Sequence, residues 1–266
     1  MNDLYICPIC GQSLNKVNKS FVCDNNHCFD IAKSGYVNLI LPNKKNSVAP
    51  GDNKEMIVAR KKVMDLDYYK KLADTIIYKL PTSSNAILDA GCGVGYIPIK
   101  VKEALPDTIV CGTDISKYAI ECASKQSKEV NFAVASSLRL PYKDNFFDAV
   151  ICAFAPVYGQ EFNRITKKDG LLLRVVPDVY HLYDLKKFLY KEPRVNEMDP
   201  LEIDGFSFIE EHQVKSTFRG CGEIIHSLVK MTPYYYHTPK EDIERLIGLS
   251  EFTINTEFSL RIYRKV

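Results

Sequence analysis

No stretch of this chain approaches the ~20 consecutive apolar residues that a membrane span needs. The N-terminus, Met-Asn-Asp-Leu-Tyr-Ile-Cys, has no basic segment leading into an apolar core. These absences predict a protein that stays off membranes and out of the secretory route, hence a cytoplasmic one. There is no internal repeat and no low-complexity tract, so solenoids and compositional tails are excluded. Two phosphate-binding signatures are missing as well. The glycines lack the Gly-x-Gly-x-x-Gly offset of dinucleotide sites, and no Gly-Lys-Ser/Thr of a P-loop follows them.

What remains is 266 residues of ordinary hydrophobic content, enough for one large domain or a medium domain with a small one. Charge is nearly balanced at +2 but unevenly placed. Residues 1–80 hold twelve Lys and Arg against eight Asp and Glu, and residues 81–266 hold twenty-three against twenty-five. The basic excess gathers in Lys44, Lys45, Lys54, Arg60, Lys61 and Lys62. Such a group can meet phosphates, or can be a solvated linker and helix face.

The nine cysteines fall into two groups. Cys92, Cys111, Cys122, Cys152 and Cys221 are scattered among apolar neighbours and read as buried thiols of a reducing compartment. The other four cluster near the N-terminus. Cys7-Pro-Ile-Cys10 makes a two-residue knuckle, followed by Cys23 and His27 as Cys-x3-His. Two thiolates on one turn, with a thiolate and an imidazole on another, can close a tetrahedron around zinc. Cys28 in place of His27 gives a four-sulfur site instead. A redox Cys-x-x-Cys would not need the second half. A region of about 40 residues has too little core to fold unaided, so a structural metal supplies the missing stability.

Residues 88–96 read Leu-Asp-Ala-Gly-Cys-Gly-Val-Gly-Tyr after an apolar start at Ala86. Glycines at 91, 93 and 95 let the backbone turn sharply and approach a ligand closely. Asp114 follows a second apolar run, Thr108 to Gly112. Strand, glycine turn, helix, strand and acid describe a pocket for a nucleoside whose ribose hydroxyls meet a carboxylate. The order Asp-x-Gly-x-Gly-x-Gly resembles motif I of class I methyltransferases that use S-adenosylmethionine.

Periodicity predicts a helix from Asn53 to about Leu80, broken near Asp65 to Asp67. It then predicts strands at 86–90, 108–112, 130–134, 147–153, 169–175, 206–218 and 251–264. Helices are expected at 94–105, 116–127, 157–166, 178–191, 220–230 and 239–248. Alternation of this kind implies an α/β fold, a parallel sheet with helices on both faces and a pocket at the carboxyl ends of its strands. The division expected is 1–40 for the zinc module, 41–80 for a linker and helix, and 81–266 for the large domain.

Together these residues resemble the RlmA-type 23S ribosomal RNA guanine-N1 methyltransferases, nearly end to end. The resemblance starts at Cys7-x2-Cys10-x12-Cys23-x3-His27, where the family uses the histidine, which decides for His27 over Cys28. It continues through Phe29 to Leu39, Pro50-Gly51-Asp52-Asn53-Lys54-Glu55-Met56 and Ala59-Arg60. The glycine loop, Asp114 to Lys117, Ala135-Ser136-Ser137, Leu140-Pro141, Ala155-Pro156 and Met231 to Tyr234 follow in order. The fold implied is a Rossmann-like, mostly parallel seven-stranded sheet carrying a small zinc-ribbon-like domain that recognises RNA. The function implied is methyl transfer from S-adenosylmethionine to N1 of a guanosine in a hairpin loop of 23S ribosomal RNA, by a homodimer gripping RNA in a shared cleft.

The resemblance also suggests roles. Asp89 should buttress the glycine loop or meet the methionine amino group; otherwise it caps a strand end. Gly91, Gly93, Gly95 and Tyr96 should line the methionine and ribose, Asp114 should hold the ribose and Ile115 should pack on adenine. Ser136 and Ser137 stand where many related enzymes carry an Asp toward the adenine amino group, and Ala155-Pro156 should border the methyl-transfer site. Guanine N1 must lose a proton, and Asp52 and Glu55 are the candidate acceptors; as a bland alternative they begin a helix. Arg60, Lys61 and Lys62 can grip phosphates or form a solvated helix face, and Tyr234, Tyr235 and Tyr236 can stack on RNA or close a core edge. His226 and His237 are lesser candidates. Rival readings are a small-molecule methyltransferase with a structural zinc module and a non-catalytic RNA-binding protein.

Overall fold

The computed structural model describes residues 4–41, 51 and 53–266. Most of the expected loop 41–56, with Pro42, Lys44, Lys45, Pro50 and Asp52, lies outside the described residues.

The N-terminal segment folds as a four-stranded antiparallel meander, too short to enclose much core. Strands β1 (Tyr5–Ile6), β2 (Ser13–Val17), β3 (Ser20–Val22) and β4 (Cys28–Asp30) pair antiparallel in that order. Gly11 takes a φ of +77° after the knuckle, and its N–H donates to the Cys7 carbonyl at 2.8 Å. The next strand, β5 (Val37–Asn38), leaves this module and pairs with the large sheet.

Helix α1 (Lys54–Met64) starts on Asn53, whose side chain accepts from the Met56 N–H at 3.0 Å. Asp67, at a φ of +58°, lies in the break before α2 (Lys70–Lys79). The alternating part then runs β6 (Ala86–Ala90), α3 (Tyr96–Ala104), β7 (Ile109–Asp114), α4 (Lys117–Gln126), β8 (Asn131–Val134), β9 (Phe147–Ala153), α5 (Gly159–Ile165) and β10 (Thr166–Pro177). It closes with α6 (Tyr183–Leu189), β11 (Phe206–Gly220), α7 (Gly222–Lys230), α8 (Lys240–Ile247) and β12 (Phe252–Lys265).

Eight strands form one sheet in the order β11-β12-β10-β9-β6-β7-β8-β5. Only β12 runs against the others. The eighth strand is β5, so the resemblance accounts for seven and the zinc segment adds an edge. All five residues of β6 are buried, as a central strand requires.

Helices do not cover the two faces equally. One core joins the sheet to apolar residues of α1, α2, α3, α4, α6, α7 and α8. The other joins it to Phe162 and Ile165 of α5 and to Leu4, Tyr5 and Leu14 of the zinc module. Between β8 and β9 the chain runs as a loop bearing Leu140 and Tyr142, both fully buried. Tyr5 packs on Tyr142 at 5.5 Å between ring centroids, and the Ile6 N–H donates to the Pro141 carbonyl at 2.9 Å. Burying a side chain of this size contributes roughly 1.5–3 kcal/mol, so the module and the large domain stabilise each other.

Two expectations shift. The helix expected at 178–191 begins only at Tyr183, because Asp178 holds a turn through the Val179 and His181 N–H groups and Leu182 takes a φ of +58°. Of the later thiols, Cys111 and Cys152 are buried, Cys92 and Cys122 are half-buried, and Cys221 is exposed where α7 begins.

Candidate functional site

Parallel strands deliver their carboxyl ends to one edge, and the chain must turn there into helices. At the end of β6 the turn is made by Gly91, Gly93 and Gly95 with φ of +86°, +53° and +82°. A Cβ on Gly91 would stand 2.5 Å from the Ala155 Cβ, so a side chain there would close the crevice. Gly95 differs: its Cβ would meet Ala123 at 2.7 Å and the Phe132 ring at 3.1 Å, and it packs behind the loop instead of lining the crevice.

The end of β7 holds the loop in place. The Gly93 N–H donates to Asp114 Oδ2 at 2.9 Å and the Ser116 N–H to Oδ1 at 2.7 Å. Gly51 approaches the same turn, where an added Cβ would lie 3.0 Å from both Ile115 and Ser116. That close approach gives Gly51, within the Pro-Gly-Asp block, a physical role.

The crevice is a cavity of about 370 Å³, within the range of small-molecule sites. Its lining brings together Asp89, Gly91, Gly93, Tyr96, Asp114, Ile115, Ser136 and Ser137, all singled out from the sequence, with Ala155 and Pro156. Asp89 is buried, and its Oδ1 has no hydrogen-bond partner among the described residues. Burial, and then the charge of Asp114, push its carboxyl up to about 8. A buried carboxyl left in this state is set up for a cationic group.

A second cavity of about 590 Å³ shares Arg60, Tyr69, Phe154 and Ala155 with the first. Sequence reasoning missed most of its wall, which includes Arg174, His181, Glu197 and Asp199. Arg174 and His181 lie apart from Glu197 and Asp199 in the chain, with no common spacing; the signals were Arg60, Ala155-Pro156 adjoining Phe154, and the Met231–Tyr234 stretch. Tyr234 lines this cavity and donates to Asn196 Oδ1 at 3.3 Å, whereas Tyr235 packs 6.0 Å from the His226 ring.

Of the two expected proton acceptors, only Glu55 falls within the described residues. Asp52 lies outside the described residues, and Glu55 is exposed in the first turn of α1, lining neither cavity. Of the basic triplet, Lys61 pairs with Asp65 and Lys62 approaches Glu223 at 3.9 Å, while Arg60 borders both cavities. His226 is half-buried and its ring is pulled down by that burial; His237 is exposed.

At the other end of the molecule Cys7, Cys10, Cys23 and His27 converge, with their ligand atoms all within 4.8 Å of one another. Ligands at tetrahedral zinc, about 2.3 Å for sulfur and about 2.0–2.1 Å for nitrogen, imply edges of about 3.8 Å (S–S) and about 3.6 Å (S–N). The corresponding separations are 3.7 Å for Cys10–Cys23, 3.5 Å for Cys7–His27 and 3.4 Å for Cys23–His27. Cys28 is exposed on β4 and outside the cluster. The Cys10 thiol is lowered to about 6, first by the Gln12 backbone N–H, which favours the thiolate that binds metal.

A family profile described as "RlmA, N-terminal", a zinc ribbon, matches residues 5–48, and a methyltransferase-domain profile matches residues 87–170. The chain is 31% identical to YxjB of Bacillus subtilis (strain 168), provisionally named a 23S rRNA (guanine-N(1)-)-methyltransferase, over 98% of this chain and 97% of that protein. It is 27% identical to the 23S rRNA (guanine(748)-N(1))-methyltransferase of Streptomyces fradiae, over 96% of this chain and 95% of that one. A chain from the complex between the Haloferax volcanii Trm112 methyltransferase activator and a methyltransferase matches with a TM-score of 0.53 at 15% identity, covering 81% of this chain and 98% of its own. That last likeness shows the fold alone.

Proposed function

This chain belongs to the family of 23S rRNA (guanine-N1)-methyltransferases, and we propose that it methylates N1 of a guanosine in a hairpin loop of 23S ribosomal RNA, using S-adenosylmethionine. The glycine crevice fits that cofactor: Gly91 leaves space that a Cβ would fill, and Asp89 presents a buried carboxyl oxygen without a partner. Asp89 would meet the methionine amino group, Gly91, Gly93 and Tyr96 would border the methionine and ribose, and Asp114 would accept from the ribose hydroxyls. Ile115 would pack on the adenine, with Ser136 and Ser137 beside it, while Gly95 supports the loop from behind. When bound, the cofactor supplies an electrophilic methyl group on a sulfonium.

The observation that carries this reading is that the two cavities adjoin, with Arg60, Tyr69, Phe154 and Ala155 lining both. A methyl donor in one and a base in the other would meet beside these shared residues, which is the positioning that a displacement at a methyl carbon needs. A loop base must be splayed out to reach such a place, and the aromatic wall can stack on it. Asp52 follows Gly51, which lines the crevice, and is the proposed acceptor of the N1 proton.

The zinc module, with Arg60, would grip the RNA. The family resemblance supports a homodimer, and nine free thiols suit the cytoplasm. Primer extension on ribosomal RNA from a strain lacking the gene tests the reading. A stop at one loop guanosine should vanish in that strain and return on complementation; an unchanged pattern of stops contradicts it.

A further inference from the structure

The wall of the second cavity carries a charged pair that the cofactor crevice does not use. Arg174, near the end of β10, donates through Nη2 to Asp199 Oδ2. The Arg174 side chain is only 14% exposed, and its Nε has no partner among the described residues. A buried guanidinium N–H without an acceptor costs roughly 1–3 kcal/mol, so the arrangement favours a ligand that supplies one.

Asp199 is held there from several sides. Arg261 donates to its backbone carbonyl at 2.8 Å. Three residues earlier, Asn196 donates to the Asp178 carbonyl at 2.8 Å and accepts from Lys186 at 2.6 Å. Opposite chemistry lines the shared wall. The Phe154 and Tyr69 rings stack at 5.3 Å and 23°. Phe154 is 36% exposed and takes a φ of +57°, a strained backbone that suits a functional position.

Resting on the function proposed above, we infer that this cavity reads the guanine itself, with Arg174 donating to O6 and Asp199 accepting from the 2-amino group. The two groups flank N1 and leave it open to the methyl donor. Guanine carries a carbonyl and an amino group on either side of its ring N–H. Adenine has no carbonyl and uracil no amino group, so neither satisfies both residues. Cytosine satisfies both only with its sugar on the opposite side. Phe154, at the wall between the cavities, provides a face for the splayed base.

The test uses the full zinc-loaded protein and a hairpin RNA in which the target guanosine is replaced by inosine, which keeps O6 and N1–H but lacks the 2-amino group. For the unaltered protein, kcat/KM should fall about 10- to 100-fold on the inosine RNA. For Asp199→Ala, the guanosine-to-inosine ratio should collapse to within about threefold, while calorimetric affinity for S-adenosylmethionine and zinc content stay unchanged. Equal rates of the unaltered protein on both RNAs overturn the inference without needing any variant. Retention of the full ratio by Asp199→Ala overturns it as well. Failure to methylate guanosine N1 at all would instead remove the function on which it rests, and this inference with it.

Discussion

Acidification from pH 8.5 to pH 6.5 should weaken S-adenosylmethionine binding about 25-fold. In the free protein the Asp89 carboxyl is pushed up to about 8 by burial and by the charge of Asp114, and one oxygen lacks a partner. A cationic amino group placed against it requires the ionised form, so binding expels a proton. With a pKa of about 8, roughly 97% of the carboxyl is protonated at pH 6.5 and about a quarter at pH 8.5, which sets the ratio of affinities. The sign reverses for folding without cofactor. The folded pKa lies above the ordinary value of 3.8, so the stability associated with this group is full below about pH 4 and is lost as pH rises through about 8. Titration calorimetry in two buffers of different ionisation enthalpy reads both affinity and proton release. About one proton should leave per cofactor at pH 6.5 and about a quarter at pH 8.5, and Asp89→Asn should flatten the profile. Affinity equal within twofold at the two pH values, with no proton released, would refute the reasoning.

Three further outcomes are expected. Chelation of zinc, or Cys23→Ala, should release one metal per chain and unfold the N-terminal module, because a structural zinc contributes on the order of 10 kcal/mol to a small ribbon; Cys28→Ala should keep its metal, and atomic absorption with near-ultraviolet dichroism separates the cases. Gly95→Ala should lower unfolding free energy by about 2–4 kcal/mol in urea, combining a left-handed φ of +82° with a Cβ placed 2.7 Å from Ala123; a change below about 0.5 kcal/mol would contradict the packing role. Phe154→Ala should raise KM for RNA about tenfold or more, from loss of stacking, as read by steady-state methylation of a hairpin RNA at saturating cofactor.

The order of strands and helices was legible because a buried parallel strand and an amphipathic helix leave different apolar periods. Ala86–Ala90 is apolar apart from Asp89, while Lys117–Gln126 presents Ala119, Ile120 and Ala123 on one face. The glycine bend, Asp114 and the zinc ligands were legible because each depends on local spacing. What stayed hidden depends on distant parts of the chain. Arg174 and Asp199 meet across 25 residues and a long loop, and no local pattern marks either one. The strand Val37–Asn38 joins β8 through backbone bonds that two residues cannot advertise. Gly95 shares its spacing with Gly91 and Gly93 but faces Ala123, a distinction that only helix packing makes.

The most direct measurement is label transfer. Purified protein would be incubated with protein-free 23S ribosomal RNA and S-adenosylmethionine carrying a deuterated methyl, and the RNA digested to nucleosides for mass spectrometry. Deuterated 1-methylguanosine, at one residue per RNA, is the predicted product. Label on another base or another position of guanine, or no label in the RNA from protein that binds the cofactor, would contradict it.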